Sequence, residues 1–201
     1  MLRALAPLDA KNVLAVACGT GRFTSMLAYA APDIIGVDIS AAMLQQGRQR
    51  ARELGVEDHL QFMRGDAARL PFPDDHFDAV FGMRFFHLAD TPASFLGEMA
   101  RVSNSQVFFD TFKRGSTRSI YNWLLPMGSR LYSDEEVSRL LSGAGLSLAG
   151  SEHDFVAPYG FYRQVPNALA KPVRRLDKAV GETPLGRPLA SVSYWNATVS
   201  E

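Results

Sequence analysis

Residues Val13–Thr24 have the sequence VLAVACGTGRFT, an apolar run that stops in small residues and continues as an amphipathic segment. The apolar run predicts a buried parallel β-strand. Gly19 and Gly21 predict a tight turn, because glycine tolerates positive φ and lets a ligand lie against the backbone. The spacing of the apolar residues that follow predicts a helix over 21–31. Together these elements favour a ligand site, because free N–H groups and a partial positive charge point out of a helix N-terminus.

The spacing of the glycines argues against a dinucleotide site. The G-x-G-x-x-G pattern requires a third glycine at position 24, where this chain has Thr24. No Gly-Lys-Ser/Thr follows, so the pattern of a phosphate-binding P-loop is absent as well.

The same stretch resembles motif I of the class I S-adenosylmethionine (SAM) methyltransferases, in which an acidic residue precedes G-x-G-x-G. Ala17 stands at the first glycine, and Gly19 and Gly21 stand at the other two. Ala15 stands where the family has its acid, which is the larger departure. The resemblance implies that Ala17, Gly19 and Gly21 contact SAM. An ordinary tight turn is the alternative interpretation.

The composition is that of an ordinary globular protein. Of 201 residues, 47% are hydrophobic and 21% are charged, and this length predicts a single domain over 1–201. No apolar run reaches the ~20 residues of a membrane span, so none is predicted. Cys18 is the single cysteine, which excludes intrachain disulfides and favours a reducing, cytoplasmic location. No Cys/His cluster indicates a metal site, and the formal net charge of zero argues against a nucleic-acid binder.

Asp38 ends the second predicted strand. It follows Gly21 by 17 residues, and an acid about 20 residues after such glycines accepts hydrogen bonds from ribose hydroxyls. The methyltransferase resemblance implies the same role, with Ile39 and Met43 beside the adenine. Two alternatives remain open: Asp38 caps the following helix, or Met43 belongs to the core. Ser40 could serve as that cap instead.

Gly65-Asp66-Ala67 follows the third predicted strand. The resemblance implies that the Asp66 carboxylate faces the exocyclic amine of adenine and that the Ala67 N–H lies near a ring nitrogen. A turn-forming aspartate is the alternative interpretation. Leu70–Asp78 has the sequence LPFPDDHFD and resembles the segment before strand four of small-molecule methyltransferases. The resemblance then covers Val13–Val102, with four motifs in order.

The fourth predicted strand ends at Met83, and ligands of open α/β sheets bind beyond the carboxyl ends of the strands. We therefore expect this end to face the transferred methyl group, with Met83 against the cofactor. His87 is the histidine placed to act as a catalytic base; a partly buried histidine that opens the next helix is the alternative. Arg84 binds an anionic substrate or only forms a salt bridge, and the sequence favours neither.

The resemblance implies an α/β fold, a three-layer sandwich around a seven-stranded, mostly parallel sheet of order 3-2-1-4-5-7-6 with strand 7 antiparallel. Two segments, 113–132 and 155–190, are expected to face the substrate. The segment 155–190 contains six Lys and Arg residues and only two acidic residues. Aromatic residues lie just before and among them. Tyr159 and Tyr162 are predicted to contact an acceptor that has a ring or chain and an acidic group. A helix with merely solvated charges is the alternative.

The sequence therefore predicts SAM-dependent methyl transfer to a small, partly apolar acceptor. The N/D-P-P-Y/F tetrapeptide of amino-methylating nucleic-acid enzymes is absent, as is a cysteine after strand four, and both absences favour a small molecule. The alternative is a non-catalytic SAM-binding or partner subunit, which Ala15 and the short segment before strand one leave open. A homo-oligomer could cover that end of the site.

Overall fold

A computed structural model describes residues 10–116, 118–119, 128–154, 172–173, 175–177, 179–180, 183 and 189–200. Within them, the strands are β1 (Asn12–Val16), β2 (Asp33–Asp38), β3 (Leu60–Arg64), β4 (Phe77–Gly82), β5 (Ser103–Phe112), β6 (Leu146–Asp154) and β7 (Val192–Val199). The α-helices are α1 (Thr24–Leu27), α2 (Ala41–Leu54), α3 (Pro92–Arg101) and α4 (Asp134–Gly143). Short 3-10 turns occupy Glu57–His59 and Phe86–Leu88.

The seven strands form one sheet in the order β3-β2-β1-β4-β5-β7-β6. β7 runs antiparallel to both of its neighbours, whereas the pairs from β3 to β5 are parallel. The predicted strand order and the antiparallel strand 7 are confirmed. The order reverses between β1 and β4, and open α/β sheets bind ligands beyond the strand ends at such a reversal.

Two apolar clusters cover the sheet, one on each face, because alternate residues of a strand point to opposite sides. Leu14 and Val16 of β1 belong to the cluster that includes α3 and α4. Val13 belongs to the cluster that includes α1 and α2. The three-layer sandwich is therefore confirmed. Burial on both faces also explains why the last four residues of β1, from Val13 to Val16, are all apolar.

The first helix is shorter than predicted. The apolar spacing predicts a helix over 21–31, but α1 contains only the four residues Thr24–Leu27. Its N-cap residue makes no side-chain hydrogen bond, and the amides of Ala30 and Ala31 both donate to the carbonyl of Leu27, which ends the helix in a tight turn. Because the helix dipole sums over aligned peptide units, one turn contributes little of it. The loop before α1, rather than the helix, is therefore the candidate ligand site.

Side-chain caps determine where α2 and α4 begin. The hydroxyl of Ser40 accepts a hydrogen bond from the Met43 amide at 3.3 Å, and that of Ser133 accepts one from the Glu136 amide at 3.1 Å. Gly55 ends α2 with a φ of 66°. Ser40 is therefore the cap of α2, as the sequence allowed, and Ser133 has the same role for α4.

Some predictions fall on parts of the chain that are not described. Tyr159, Tyr162 and most of the segment 155–190 lie outside the described residues, as do residues 117 and 120–127 of the segment 113–132. The interpretation of 1–201 as one domain stays a prediction. Among the described residues, no helix has both the length and the apolar character that a membrane crossing requires.

Candidate functional site

The loops after β3, β2, β1 and β4 lie side by side, because these four strands are parallel neighbours. We call this border of the sheet the carboxyl edge. Val16 is level with Val37, and Asp38 is level with Arg64. The carboxyl edge carries every residue predicted to contact the cofactor: Ala17, Gly19, Gly21, Asp38, Ile39, Met43, Asp66, Ala67 and Met83.

The loop after β1 has a left-handed backbone at alternate positions. φ is 49° at Ala17, 54° at Gly19 and 67° at Gly21. Such angles favour glycine and cost an L residue about 1–2 kcal/mol, so Ala17 carries strain that a glycine would avoid. A Cβ on Gly19 would meet no atom of the described residues within 4 Å. The backbone at Gly19 is therefore open to an approaching molecule.

Gly21 is constrained by packing instead. A Cβ on Gly21 would lie 2.7 Å from the ring of Phe62, which belongs to β3. Gly36 in β2 and Gly47 in α2 approach the same ring, with Cβ distances of 3.0 and 2.8 Å. The ring thus fills a slot between three glycines and joins the loop to the sheet and to α2. Sequence analysis missed this slot, although a glycine inside a strand and another inside a helix can signal close packing.

Asp38 connects the loop after β1 to the start of α2. One carboxylate oxygen accepts the Gly19 N–H at 2.8 Å, and the other accepts the Ser40 N–H at 2.9 Å. Because Ser40 is the cap of α2, the alternative interpretation of Asp38 as that cap is wrong. A carboxylate has about four lone-pair sites, so these two bonds leave room for ribose hydroxyls. The ribose role stays a prediction.

Two apolar side chains beside Asp38 face solvent. Ile39 is 66% exposed and Met43 is 42% exposed. The alternative that Met43 belongs to the core is therefore wrong. Single exposed apolar residues are common on protein surfaces, but these two lie together at the carboxyl edge, where a flat apolar ring is expected. Their contact with adenine stays a prediction.

Asp66 forms a turn at the end of β3. Its carboxylate accepts the Ala68 N–H at 2.8 Å, and its carbonyl accepts the Arg69 N–H at 3.1 Å. The turn-forming interpretation of Asp66 is therefore confirmed. The turn does not exclude the adenine role, because the carboxylate has further lone pairs. The contacts of Asp66 and Ala67 with adenine stay predictions.

Arg84 has a strained backbone directly after β4. Its φ is 60°, in the left-handed region, and its N–H donates to the carboxylate of Asp110 on β5. Asp110 is only 2% exposed, and this burial raises the pKa of its carboxyl above the ordinary value. Strained residues are retained where their surroundings hold them in place, and Asp110 has that role here. Sequence analysis missed Asp110, because a single acid in an apolar strand has no recognisable pattern.

His87 lies in the 3-10 turn beyond β4 and is half-buried. Its ring centroid is 4.5 Å from that of Phe112, at the end of β5. Burial, followed by the charges of Arg84 and Arg118, lowers the pKa of His87 to about 4. The imidazole is therefore neutral at neutral pH. The partly buried environment is confirmed, and the catalytic role stays a prediction.

The ionisation of His87 can be measured directly. We expect its ring resonances in NMR spectra to titrate with a midpoint near 4, because burial disfavours the charged ring and protonation adds a positive charge near Arg84 and Arg118. Comparison with His87→Gln assigns the signal, and Arg118→Gln should raise the midpoint toward 6.5. The pKa of this histidine is 6.5 in the unfolded chain and about 4 in the folded protein. The unfolded state therefore binds the proton more tightly, and the folded state loses stability as pH falls from 6.5 to 4. A midpoint at or above 6.5 would contradict this description.

The end of the segment 113–132 packs against the turn that holds His87. The Arg130 N–H donates to the carbonyl of His87 at 2.9 Å. The hydroxyl of Tyr132, a residue only 1% exposed, donates to the carbonyl of Phe86 at 2.7 Å. This contact fits the expectation that the segment faces the substrate, which itself stays a prediction.

A cavity of about 270 Å³ lies beside the end of β4. Met83, Phe108, Tyr194 and Trp195 contribute apolar surface to it, and polar atoms come from residues such as Asn196 and Glu152. Such a mostly apolar cavity with a few polar groups is typical of a small-molecule site. In the described part of the chain, no group of three or more His, Cys, Asp or Glu side chains could hold a metal ion.

Comparison with known protein families supports the motif assignment. Residues 13–106 match the family model described as a methyltransferase domain. The matched residues include the loop after β1 and the ends of β2, β3 and β4. Residues 13–106, just under half of the chain, are therefore similar to a methyltransferase domain. SAM is the cofactor of this family.

Curated relatives match this methyltransferase domain over part of their length. The demethylmenaquinone methyltransferase of Clavibacter sepedonicus is 41% identical over 85 residues, which are 41% of this chain and 34% of that protein. The ubiquinone/menaquinone biosynthesis C-methyltransferase UbiE of Stutzerimonas stutzeri is 32% identical over 144 residues, which are 65% of this chain and 56% of that protein. The chain thus matches between about a third and somewhat over half of these relatives.

A solved structure shows the same fold over almost the whole chain. The magnesium protoporphyrin IX methyltransferase ChlM of Synechocystis, with bound SAH, has a TM-score of 0.72 and covers 99% of this chain and 78% of that one. Its sequence identity is 18%, so the likeness concerns the fold alone.

Cys18 is a poor candidate for a nucleophile. Burial, together with the nearby charge of Asp38, raises the pKa of its thiol to about 12. The thiolate is the reactive form of cysteine, and it is absent at such a pKa near neutral pH. Cys18 instead packs near Gly36, where a Cβ would lie 3.0 Å from its sulfur.

Proposed function

We propose that this protein transfers a methyl group from SAM to a small, partly apolar acceptor. The observation that carries the proposal is the open loop at Gly19, tied to Asp38 at the carboxyl edge, within a stretch that matches a methyltransferase domain. An open backbone beside a carboxylate suits a ligand that combines polar groups with a ribose.

The side chains of the carboxyl edge fit SAM in chemical character. Asp38 would bond the ribose hydroxyls, since it has lone pairs beyond those used by two N–H groups. The exposed side chains of Ile39 and Met43 would cover adenine. Asp66 would accept from the adenine amine, and the Ala67 N–H would donate to a ring nitrogen.

When bound, SAM supplies a methyl group on a positively charged sulfur, which is already activated for displacement. The protein mainly has to align the acceptor, and such alignment can contribute about 7–11 kcal/mol. A hydroxyl acceptor also needs a base, which contributes about 10²–10⁴-fold. His87 is the candidate to accept that proton at a ring nitrogen, since its imidazole is neutral at neutral pH, but a pKa of about 4 makes it a weaker base than an ordinary histidine.

We further propose that the acceptor has an apolar ring that enters the cavity beside Met83. The cavity is lined by aromatic side chains, including Phe108 and Tyr194. The names of the relatives in Clavibacter and Stutzerimonas refer to menaquinone and ubiquinone, which suggests a quinone-like ring. The cytoplasmic location, the possible homo-oligomer and the absence of nucleic-acid binding stay predictions.

A non-catalytic SAM-binding subunit is the second candidate. Ala15 favours it, because the family has an acid at this position. Transfer of labelled methyl from SAM to a panel of apolar aromatic acceptors, including a reduced demethylmenaquinone, tests the two proposals. We expect a labelled product with at least one acceptor, and much less of it with Asp38→Ala when SAM is limiting. Normal binding of SAH without any transfer would favour the non-catalytic subunit.

A further inference from the structure

The loop after β3 is held at both of its ends. Residues 65–76 form this loop, which joins β3 to β4 and begins with the residues expected to bind adenine. The Gly65 N–H donates to the carbonyl of Asp38 at 3.1 Å, which joins the start of the loop to β2. The N–H groups of Asp75 and His76 donate to main-chain carbonyls at the C-terminal end of α3, both at 3.0 Å. Side chains of α3 bind the part of the loop between these ends.

One arginine binds the middle of the loop. Arg101 is the last residue of α3, and its guanidinium makes five hydrogen bonds, as many as it has N–H groups. Three of them reach the loop: the carbonyls of Leu70 and Phe72 accept at 3.0 and 2.9 Å, and the carboxylate of Asp74 accepts at 2.7 Å. The other two go to the carboxylate of Glu98 at 2.8 and 2.9 Å. The loop is therefore fixed by a planar group that has no donor left over.

Glu98 binds the same arginine and the loop together. It precedes Arg101 by three positions, so the two side chains lie on one face of α3. Its carboxylate also accepts the Leu70 N–H at 2.7 Å. The hydrogen bonds from Arg101 hold the pKa of Glu98 below its ordinary value, so the carboxylate is ionised at neutral pH. We call these two residues the Glu98–Arg101 pair; between them they bind both main-chain polar groups of Leu70.

Asp66 is close along the chain to the residue that the Glu98–Arg101 pair holds. Three residues separate it from Leu70, which is only 3% exposed and belongs to the apolar core. The N–H groups of Ala68 and Arg69 both donate to Asp66, so a hydrogen-bonded turn fills that interval. Such a turn leaves Asp66 little freedom once Leu70 is fixed. The position of the Asp66 carboxylate therefore depends on the pair in α3.

We propose that Glu98 and Arg101 are positioning residues for the recognition of adenine, acting through Leu70 and the turn at Asp66. The inference rests on the proposed function, in which Asp66 accepts a hydrogen bond from the adenine amine, and adds the residues that aim this carboxylate. A hydrogen bond weakens steeply when its distance or angle changes. A displaced loop should therefore lose selectivity for adenine, whereas Asp38, on β2, should still bind the ribose.

S-inosylhomocysteine is the probe, because its base has a carbonyl where the adenine of SAH has the exocyclic amine. We expect the unmodified protein to bind SAH at least about tenfold more tightly than S-inosylhomocysteine, measured by calorimetry. Arg101→Gln should reduce this ratio below about threefold, mainly through weaker binding of SAH. Asp66→Ala should give a similarly small ratio. Arg101→Lys should restore little of it, because an ammonium group lacks the planar fork of donors.

Arg48→Gln is the matched control. The Arg48 guanidinium also binds a main-chain carbonyl, that of Phe62 on β3 at 2.8 Å, but it does not bind the loop. This variant should keep the full ratio. Glu98→Gln keeps the size of the side chain and removes its charge, so it tests the same pair if Arg101→Gln does not fold. Glu98→Gln should lower the ratio about threefold, and circular dichroism verifies that each variant is folded.

The ratio of the two affinities separates positioning from a general loss of structure. A full ratio in a folded Arg101→Gln or Glu98→Gln variant, or equal weakening of both ligands, would overturn this inference and leave the proposed function intact. Equal affinities of the unmodified protein for SAH and S-inosylhomocysteine would do the same. Failure of the unmodified protein to bind SAH would overturn both.

Discussion

Replacement of Asp38 by alanine should weaken the binding of SAH at least tenfold. The variant loses a charged acceptor for the ribose, which contributes about 1.5–3 kcal/mol. It also releases the Gly19 and Ser40 amides, which Asp38 holds at 2.8 and 2.9 Å, so the loop after β1 is less well ordered for binding. Isothermal titration calorimetry with SAH measures the effect.

Asp33→Asn is the matched control for this experiment. Asp33 is exposed at the other end of the same strand, β2, away from the carboxyl edge. The Asp33→Asn variant should bind SAH with unchanged affinity. Unchanged affinity of a folded Asp38→Ala variant would remove the ribose assignment.

Gly21→Ala should destabilise the fold by about 2–5 kcal/mol. The left-handed φ of 67° costs an alanine about 1–2 kcal/mol. The added Cβ also lies 2.7 Å from Phe62, whose ring is held by two further glycines and cannot move freely, and such overpacking costs about 1–3 kcal/mol. Urea unfolding followed by circular dichroism measures the free energy of unfolding.

Gly19→Ala separates strain from packing. Its φ of 54° gives a similar strain, but its Cβ would meet no described atom within 4 Å. It should therefore lose only about 1–2 kcal/mol of stability, whereas its affinity for SAH should fall because the methyl group projects from the open side of the loop. Equal losses of stability in the two variants would show that Phe62 does not constrain Gly21.

The order of the strands could be predicted through the resemblance to the methyltransferase family, because four motifs of that family occur here in the same sequence. The position of Asp38 followed from its spacing after the glycines, but its bonds to Gly19 and Ser40 depend on how β1 and β2 pair. The length of α1 could not be predicted, because the apolar spacing over 21–31 suits a longer helix and only the tight turn at Leu27 ends it.

Residues that act through distant contacts left little trace in the sequence. In the sequence, Phe62 looks like any apolar strand residue. Its contacts with the glycines arise only because β3 pairs with β2 and α2 packs against both strands. Asp110 and Arg118 have no motif around them, and their relation to Arg84 arises only where β4 and β5 end together. Local pattern therefore indicated the residues of the carboxyl edge better than it indicated Phe62, Asp110 and Arg118.

A crystal structure of the protein with SAH tests the central claim most directly. We predict that SAH lies along the carboxyl edge, with a ribose hydroxyl oxygen about 2.5–3.0 Å from a carboxylate oxygen of Asp38. Adenine should then lie between Ile39 or Met43 and Asp66. Binding of SAH elsewhere on the chain, or a ribose without contact to Asp38, would contradict the account.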